Sequence, residues 1–226
     1  MRFDWVSMVA SALAVVIGIV IHESSHAIAA YLLGDKTARS RGRVSLNPLA
    51  HIDPFGTIAL PLLMIVAGGP VFAFAKPVPV YVDNLKHPKR DEVLVSFAGP
   101  ASNIVLACLG ALLLKAGVNV LVPQGNIDAA NGLALFLSTF IAVNLSLAFF
   151  NLIPIPPLDG SSIVVPFLRG SALQTYYRIQ PYAMPVLIVL LYVLPHITGI
   201  DLIGAFFNVT VYPLGQALLD FALWGF

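Results

Sequence analysis

Six long apolar stretches restrict what this sequence can fold into. They cover residues 7–33, 58–75, 93–114, 132–152, 181–195 and 200–223. About 20 mostly apolar residues are enough to cross the hydrocarbon core of a bilayer as a helix. Only 10% of the residues are charged, whereas soluble domains carry about a quarter. We therefore expect an all-α polytopic membrane protein with five to six transmembrane helices, surrounded by a lipid bilayer.

The stretch at residues 58–75 is the weakest of the transmembrane candidates. Pro61 lies near its start, and a Gly-Gly-Pro sequence would break its second half. The loops on both sides, at 35–54 and 76–92, are basic, and the positive-inside rule places both in the cytoplasm. Both can be cytoplasmic only if the stretch enters the membrane and returns. We predict a re-entrant or β-hairpin segment here, with a full crossing as the alternative.

The sequence predicts one membrane-embedded domain over residues 1–226, in a multi-pass protein of the cell membrane. The first apolar stretch has no small-residue cleavage site, so we interpret it as a retained helix and not as a removed signal peptide. The net charge of +1 leaves no basic footprint for nucleic acid, and we expect no nucleic-acid partner.

The first apolar stretch contains the motif His22-Glu23-Ser24-Ser25-His26. On a helix, residues four apart share one face, so both imidazoles can bind the same zinc ion. Glu23 lies beside them along the axis, where it can accept a proton from a water molecule that zinc activates. Ionisable side chains in a membrane helix cost about 2.5–3.5 kcal/mol each. A bound metal ion would offset that cost for all three.

A catalytic zinc site needs a third protein ligand, and Asp159 is the main candidate. It directly follows a proline-rich break between two apolar segments, where irregular backbone at membrane depth must line a cavity or be buried in protein. The position fits a metal ligand and a helix N-cap equally well. The remaining histidines, His51, His87 and His196, lie in loops or at a helix end and are predicted to be structural or solvated.

Three segments together resemble the site-2 protease family, the M50 intramembrane zinc metalloproteases. They are the H-E-x-x-H motif, Ala-Gly-Pro-Ala-Ser-Asn at 98–103, and residues 151–160. The last is similar to the family's Asn-Pro-Asp-Gly-type segment, although Leu158 stands where that segment has proline. Residues 42–57, together with residues 76–80, resemble a compact prokaryotic branch that lacks PDZ and CBS domains.

The resemblance implies one zinc ion held by His22, His26 and Asp159, with Glu23 as the general base. It also implies that Asn151 lies near the scissile carbonyl and donates to the developing oxyanion. The expected activity is hydrolysis of peptide bonds in transmembrane protein substrates by zinc-activated water, as in regulated intramembrane proteolysis. A membrane metal transporter and a catalytically inactive, membrane-binding relative are the alternatives.

The zinc site is predicted to lie below the membrane surface. His22 precedes the expected helix end at Leu33 by 11 residues, which is about 16 Å along a helix. The zinc ion should therefore lie nearer the cytoplasmic face, and a polar cavity must bring water to it. We expect the polar lining of that cavity to come from Ser24, Ser25, Asn144 and Asn151.

Residues 71–82 have an extended character. In a strand, Pro77 and Pro79 would fall on one edge and leave it without backbone donors. The opposite edge would keep its donors at Lys76, Val78 and Val80. An unwound substrate could add to that edge as a further strand. Internal pairing with residues 44–46 is the alternative use of the same donors.

Overall fold

The computed structural model describes residues 5–59 and 75–224, and this part of the chain is helical without a strand. The helices are α1 (Trp5–Leu33), α2 (Thr37–Ser40), α3 (Pro88–Leu121), α4 (Ile127–Asn151), α5 (Ser171–Ile179), α6 (Ala183–Thr198), α7 (Leu202–Val209) and α8 (Val211–Leu223). Short 3-10 turns lie at Pro48–Ala50, Val82–Asn84, Asp159–Phe167 and Gln180–Tyr182, and a π-helical turn at Pro54–Ala59. The predicted all-α class is confirmed.

Four of the described segments are long and apolar enough to cross a membrane. They are α1, α3, α4 and the continuous stretch Leu202–Leu223 that α7 and α8 form together. Helix α6 has 16 residues, somewhat fewer than a perpendicular crossing needs. Most of the stretch predicted at 58–75 lies outside the described residues, so its re-entrant or β-hairpin course stays a prediction. The chain is nevertheless a membrane protein by its apolar helices.

Helices α1, α3 and α4 pack closely because small residues line their contacts. The buried face of α1 includes Ala10, Ala14, Gly18, Ala27 and Ala30. A Cβ atom at Gly18 would lie 2.8 Å from the side chain of Leu147 in α4. Small side chains let membrane helices approach and gain packing contacts that lipid cannot provide. His22 and His26 follow Gly18 at helical spacing, so the same packing buries both imidazoles between the helices.

The end of α1 lies beside the start of α3. Gly34 has a positive φ of 122°, and the Asp35 N–H donates to the Ala30 carbonyl at 2.9 Å, which terminates α1. The backbone N–H of Lys86 then donates to the Leu33 carbonyl at 3.1 Å. The chain therefore returns to the same end of the bundle before α3 begins.

The segment after α4 returns the chain toward α1. Prolines among residues 152–158 prevent α4 from continuing past Asn151. A Cβ atom at Gly160 would lie 2.2 Å from the carbonyl oxygen of Leu152, so only glycine fits where the chain folds back on itself. This fold-back places Asp159 next to the histidines of α1.

Candidate active site

The structure brings together the three residues predicted to bind zinc. His22 and His26 are 6% and 7% exposed, and their rings meet edge to face with centroids 4.7 Å apart. Asp159 arrives from the segment after α4, and its Oδ2 lies 3.1 Å from His22 Nε2 and 3.3 Å from His26 Nε2. Among the described residues these three side chains form a group that could hold a metal ion.

The geometry of this group fits zinc. Tetrahedral ligands at the zinc–nitrogen and zinc–oxygen distances found in proteins lie about 3.3 Å from one another. The two histidine–aspartate distances agree with that spacing. Gly99 of α3 faces the ring nitrogens, and a Cβ atom there would lie 2.4 Å from His26 Nε2 and 2.6 Å from His22 Nε2. The missing side chain leaves room beside the ligand atoms.

Buried amides fix the orientation of His22. Its Nδ1 lies 2.5 Å from the Asn103 Oδ1, and Asn103 Nδ2 donates to the Gly18 carbonyl at 3.1 Å. Asn103 Nδ2 also donates to Asn144 Oδ1 at 2.8 Å, and Asn144 Nδ2 donates to the Phe140 carbonyl at 2.9 Å. Backbone carbonyls only accept, so both amide orientations follow from the network. His22 must therefore donate from Nδ1, which leaves Nε2 free as a metal ligand.

His26 is oriented by backbone. Its Nδ1 donates to the Val95 carbonyl at 2.7 Å, so its Nε2 is also free to bind a metal. The sequence motifs indicate no separate role for Asn103, and the sequence predicts that Asn144 lines a cavity. Both side chains are fully buried instead. The signal that would have identified them is the occurrence of polar side chains within apolar membrane helices.

The Asp159 carboxylate faces the imidazoles and makes no capping hydrogen bond. Asp159 is the first residue of the 3-10 turn Asp159–Phe167, whose N-cap position is occupied by Leu158. A carboxylate in this position would bind a metal ion in its ionised form.

A cavity of about 1510 Å³ opens beside the three residues. Glu23 and Asn151, predicted as the general base and the oxyanion donor, both line it. Asn151 is half-buried at the end of α4, and its Nδ2 donates one hydrogen to the Leu147 carbonyl at 2.9 Å. The amide has a second hydrogen, which makes no bond to a described residue.

The predicted serine lining of the cavity is wrong. Ser24 Oγ donates to the Ser45 carbonyl at 2.6 Å, and Ser25 Oγ donates to the Ile21 carbonyl at 2.7 Å. Neither serine is among the residues that line the cavity. Of the four polar residues expected to line it, only Asn151 does so.

The other histidines differ in how the structure places them. His51 is buried, and its Nε2 donates to the Ser45 carbonyl at 2.8 Å, which is a structural role. His87 is exposed immediately before α3. The side chain of His196 lies outside the described part of the chain.

Arg43 connects the two basic loops, residues 35–54 and 76–92, by hydrogen bonds. Its buried guanidinium donates to the carbonyls of Ala50, Lys76 and Pro77. The Lys76 N–H donates in turn to the His51 carbonyl at 2.9 Å. The two loops therefore lie side by side, and residues of the second loop line the cavity.

Asp35 makes a second connection between these loops. Its carboxylate accepts from the Tyr81 N–H at 2.7 Å, from Asn84 Nδ2 at 3.1 Å and from the Thr37 N–H at 2.9 Å. Burial raises the pKa of Asp35, but these hydrogen bonds outweigh it and lower the pKa below its ordinary value. Residues 75–81 form no regular secondary structure and pair as a strand with no described residue.

Comparisons with known proteins point to one family. The family model described as peptidase family M50 matches residues 115–194. "Putative zinc metalloprotease YwhC" of Bacillus subtilis is 40% identical over 179 residues, which cover 77% of this chain and 76% of that protein. "Putative zinc metalloprotease Rip2" of Mycolicibacterium smegmatis is 31% identical, over 76% of this chain and 62% of its own length. No solved structure matches the chain.

The relatives' names agree with the chemistry of the donor set, because two neutral imidazoles and one carboxylate are a typical catalytic zinc set. The shared identity extends over three quarters of the chain. The chain belongs to peptidase family M50 and is a zinc metalloprotease with membrane-spanning helices.

Proposed function

We propose that this metalloprotease hydrolyses peptide bonds of transmembrane protein substrates inside the membrane, using one zinc ion bound by His22, His26 and Asp159. The observation that carries the proposal is the convergence of these three side chains within the helix bundle, at the edge of a large cavity. His22 lies in α1 about 16 Å before the helix end. A site at that depth acts on chains that lie in the bilayer.

Each residue of the site has a separate task in the proposed mechanism. Zinc, when bound, polarises the scissile carbonyl and lowers the pKa of water toward about 7. Glu23 takes the proton of the attacking water and returns it to the leaving amine. The second amide hydrogen of Asn151 donates to the oxyanion that develops on the carbonyl. His22 and His26 stay in place because buried acceptors bind their Nδ1 atoms.

A substrate helix must unwind before attack, because its peptide groups are hydrogen-bonded and shielded. Residues 75–82 offer partners for the freed groups. Val78 and Val80 line the cavity, and their N–H groups donate to no described residue. The sequence predicts a free donor at the Lys76 N–H as well, but this N–H donates to the His51 carbonyl. An unwound substrate would therefore pair with Val78 and Val80 as an added strand.

Two variants test the chemistry together. Glu23→Gln preserves the size of the side chain but cannot accept a proton, so it should retain zinc and lose cleavage by about 100-fold or more. Asp159→Asn removes the charged ligand, so it should lose zinc as well. Purified protein is assayed with single-span membrane substrates, and bound zinc is measured by mass spectrometry.

The two readouts separate the possible failures. Cleavage by Glu23→Gln at the wild-type rate would reject the acid/base assignment. Full zinc content in Asp159→Asn would reduce Asp159 to a structural role. If no membrane substrate is cleaved by wild-type protein above the Glu23→Gln background, intramembrane proteolysis by this site is rejected.

We propose that the protein lies in the cell membrane with both basic loops at the cytoplasmic face. The zinc site would lie nearer to that face than to the opposite one. The contacts of Arg43 and Asp35 between the loops support this arrangement. Single cysteines at Ser40 and Lys86, both exposed, in a Cys108→Ser background should be labelled only from the cytoplasm. Labelling from opposite faces would mean that the chain crosses the membrane between them.

A further inference from the structure

A buried carboxylate on α3 is not used by the proposed chemistry. Glu92 lies in the second turn of α3 and is 8% exposed, and its side chain lines the cavity. Tyr177 of α5 donates its hydroxyl to Glu92 Oε2 at 2.6 Å. The other carboxylate oxygen, Oε1, accepts no hydrogen bond from a described residue. Glu92 therefore offers an unused acceptor to whatever fills the cavity.

The helical register puts Glu92 on the face of α3 that meets the zinc ligands. Val95, which accepts from His26, and Gly99, which faces both histidines, lie on this face. Glu92 precedes Gly99 by seven residues, close to two turns and about 10 Å along the axis. The carboxylate lies toward the end where α3 begins, which is the end of the basic loops.

The described lining of the cavity contains no Lys or Arg side chain that could balance this carboxylate. The two cations nearest to it in sequence are used elsewhere, since Arg90 pairs with Asp91 and Lys89 donates to the Leu168 carbonyl. A buried carboxylate without a partner cation is costly, and a cation entering the cavity would offset that cost. The site thus fits a positively charged group on the substrate.

We propose that Glu92 is a specificity subsite for a lysine or arginine of the substrate, a role that rests on the proposed function. An extended chain rises about 3.3 Å per residue, so 10 Å corresponds to about three residues. The cation should therefore lie about three residues from the scissile bond, on the side leading to the basic loops. Membrane proteins concentrate lysine and arginine at the cytoplasmic ends of their spans. Glu92 would use that flank to set which bond reaches the zinc site.

A substrate series tests the subsite. Single-span substrates carry Lys, Gln or Glu at each of the positions one to six residues from the cleaved bond. Wild-type protein should cleave the Lys substrate with a kcat/KM on the order of tenfold above the Gln substrate, with the largest ratio near position three. The Glu substrate should be cleaved more slowly than either. Equal rates for all three residues at every position would overturn the proposal.

Two variants separate charge recognition from a structural contact between α3 and α5. Glu92→Gln still accepts from Tyr177 but has no charge, so it should lose the preference for Lys. Tyr177→Phe removes the contact but keeps the carboxylate, so it should retain the preference. If both variants slow all substrates equally, or if Glu92→Gln keeps the preference, Glu92 is only a structural partner.

Binding to the Glu23→Gln protein separates this inference from the proposed function. Tighter binding of the Lys substrate than of the Gln substrate, lost on adding Glu92→Gln, supports the subsite even if wild-type protein cleaves neither. Cleavage of both substrates with equal binding would reject the subsite and leave the protease mechanism standing.

Discussion

Two parts of the cavity wall differ in whether their polar groups have hydrogen-bond partners. In the helical part, His22 Nδ1 binds Asn103, and Asn103 in turn binds Asn144. His26 Nδ1 binds the Val95 carbonyl. In residues 75–82, which line the same cavity, backbone donors at Val78 and Val80 have no partner in the described chain. A satisfied network keeps metal ligands in one geometry, whereas open donors suit a guest chain. Changes to the partners that hold the histidines should therefore alter zinc binding, and changes in residues 75–82 should alter only substrate handling.

The largest effect is expected where the helical wall meets the ligand atoms. In Gly99→Ala the added methyl group would overlap both Nε2 atoms, at 2.4 and 2.6 Å. The imidazoles must then move, although their Nδ1 atoms are held. We expect zinc affinity to fall by more than about 100-fold, beyond the usual cost of losing an outer partner of a ligand. Zinc titration of the purified protein measures it, with cleavage assayed in parallel.

Gly132→Ala is the matched control, because a Cβ atom at Gly132 in α4 meets nothing within 4 Å. The same substitution there should leave zinc binding and cleavage at wild-type values. Normal zinc affinity in Gly99→Ala would mean that the site can accept a methyl group beside the histidine nitrogens.

A smaller effect is expected one contact away from the metal. Asn103→Leu preserves the approximate volume but removes the acceptor for His22 Nδ1. The imidazole loses its fixed tautomer, and we expect zinc affinity to fall by about 10–100-fold. Asn119→Leu is the control, since Asn119 is exposed on the same helix. Equal losses in both variants would point to a general effect of leucine on α3.

The difference between the two parts also explains what the sequence could predict. Helical spacing alone brought His22 and His26 to one face, and apolar length predicted the long helices, because both depend on local geometry. Asp159 was ambiguous between ligand and cap, since its position depends on a fold-back over distant residues. The role of Asn103 depends on contacts with two other helices. Such a network cannot be derived from spacing within one element.

The smallest effect is expected in residues 75–82, and it should leave the metal untouched. Val78→Pro removes one of the two open donors. One lost hydrogen bond to substrate should slow cleavage on the order of threefold to tenfold. Val78→Ala trims the side chain and keeps the N–H, so it should cleave faster than Val78→Pro. Zinc content should equal that of wild type in both variants. Equal cleavage by the two variants would reject strand addition at this position, and loss of zinc in Val78→Pro would show that the segment also supports the metal site.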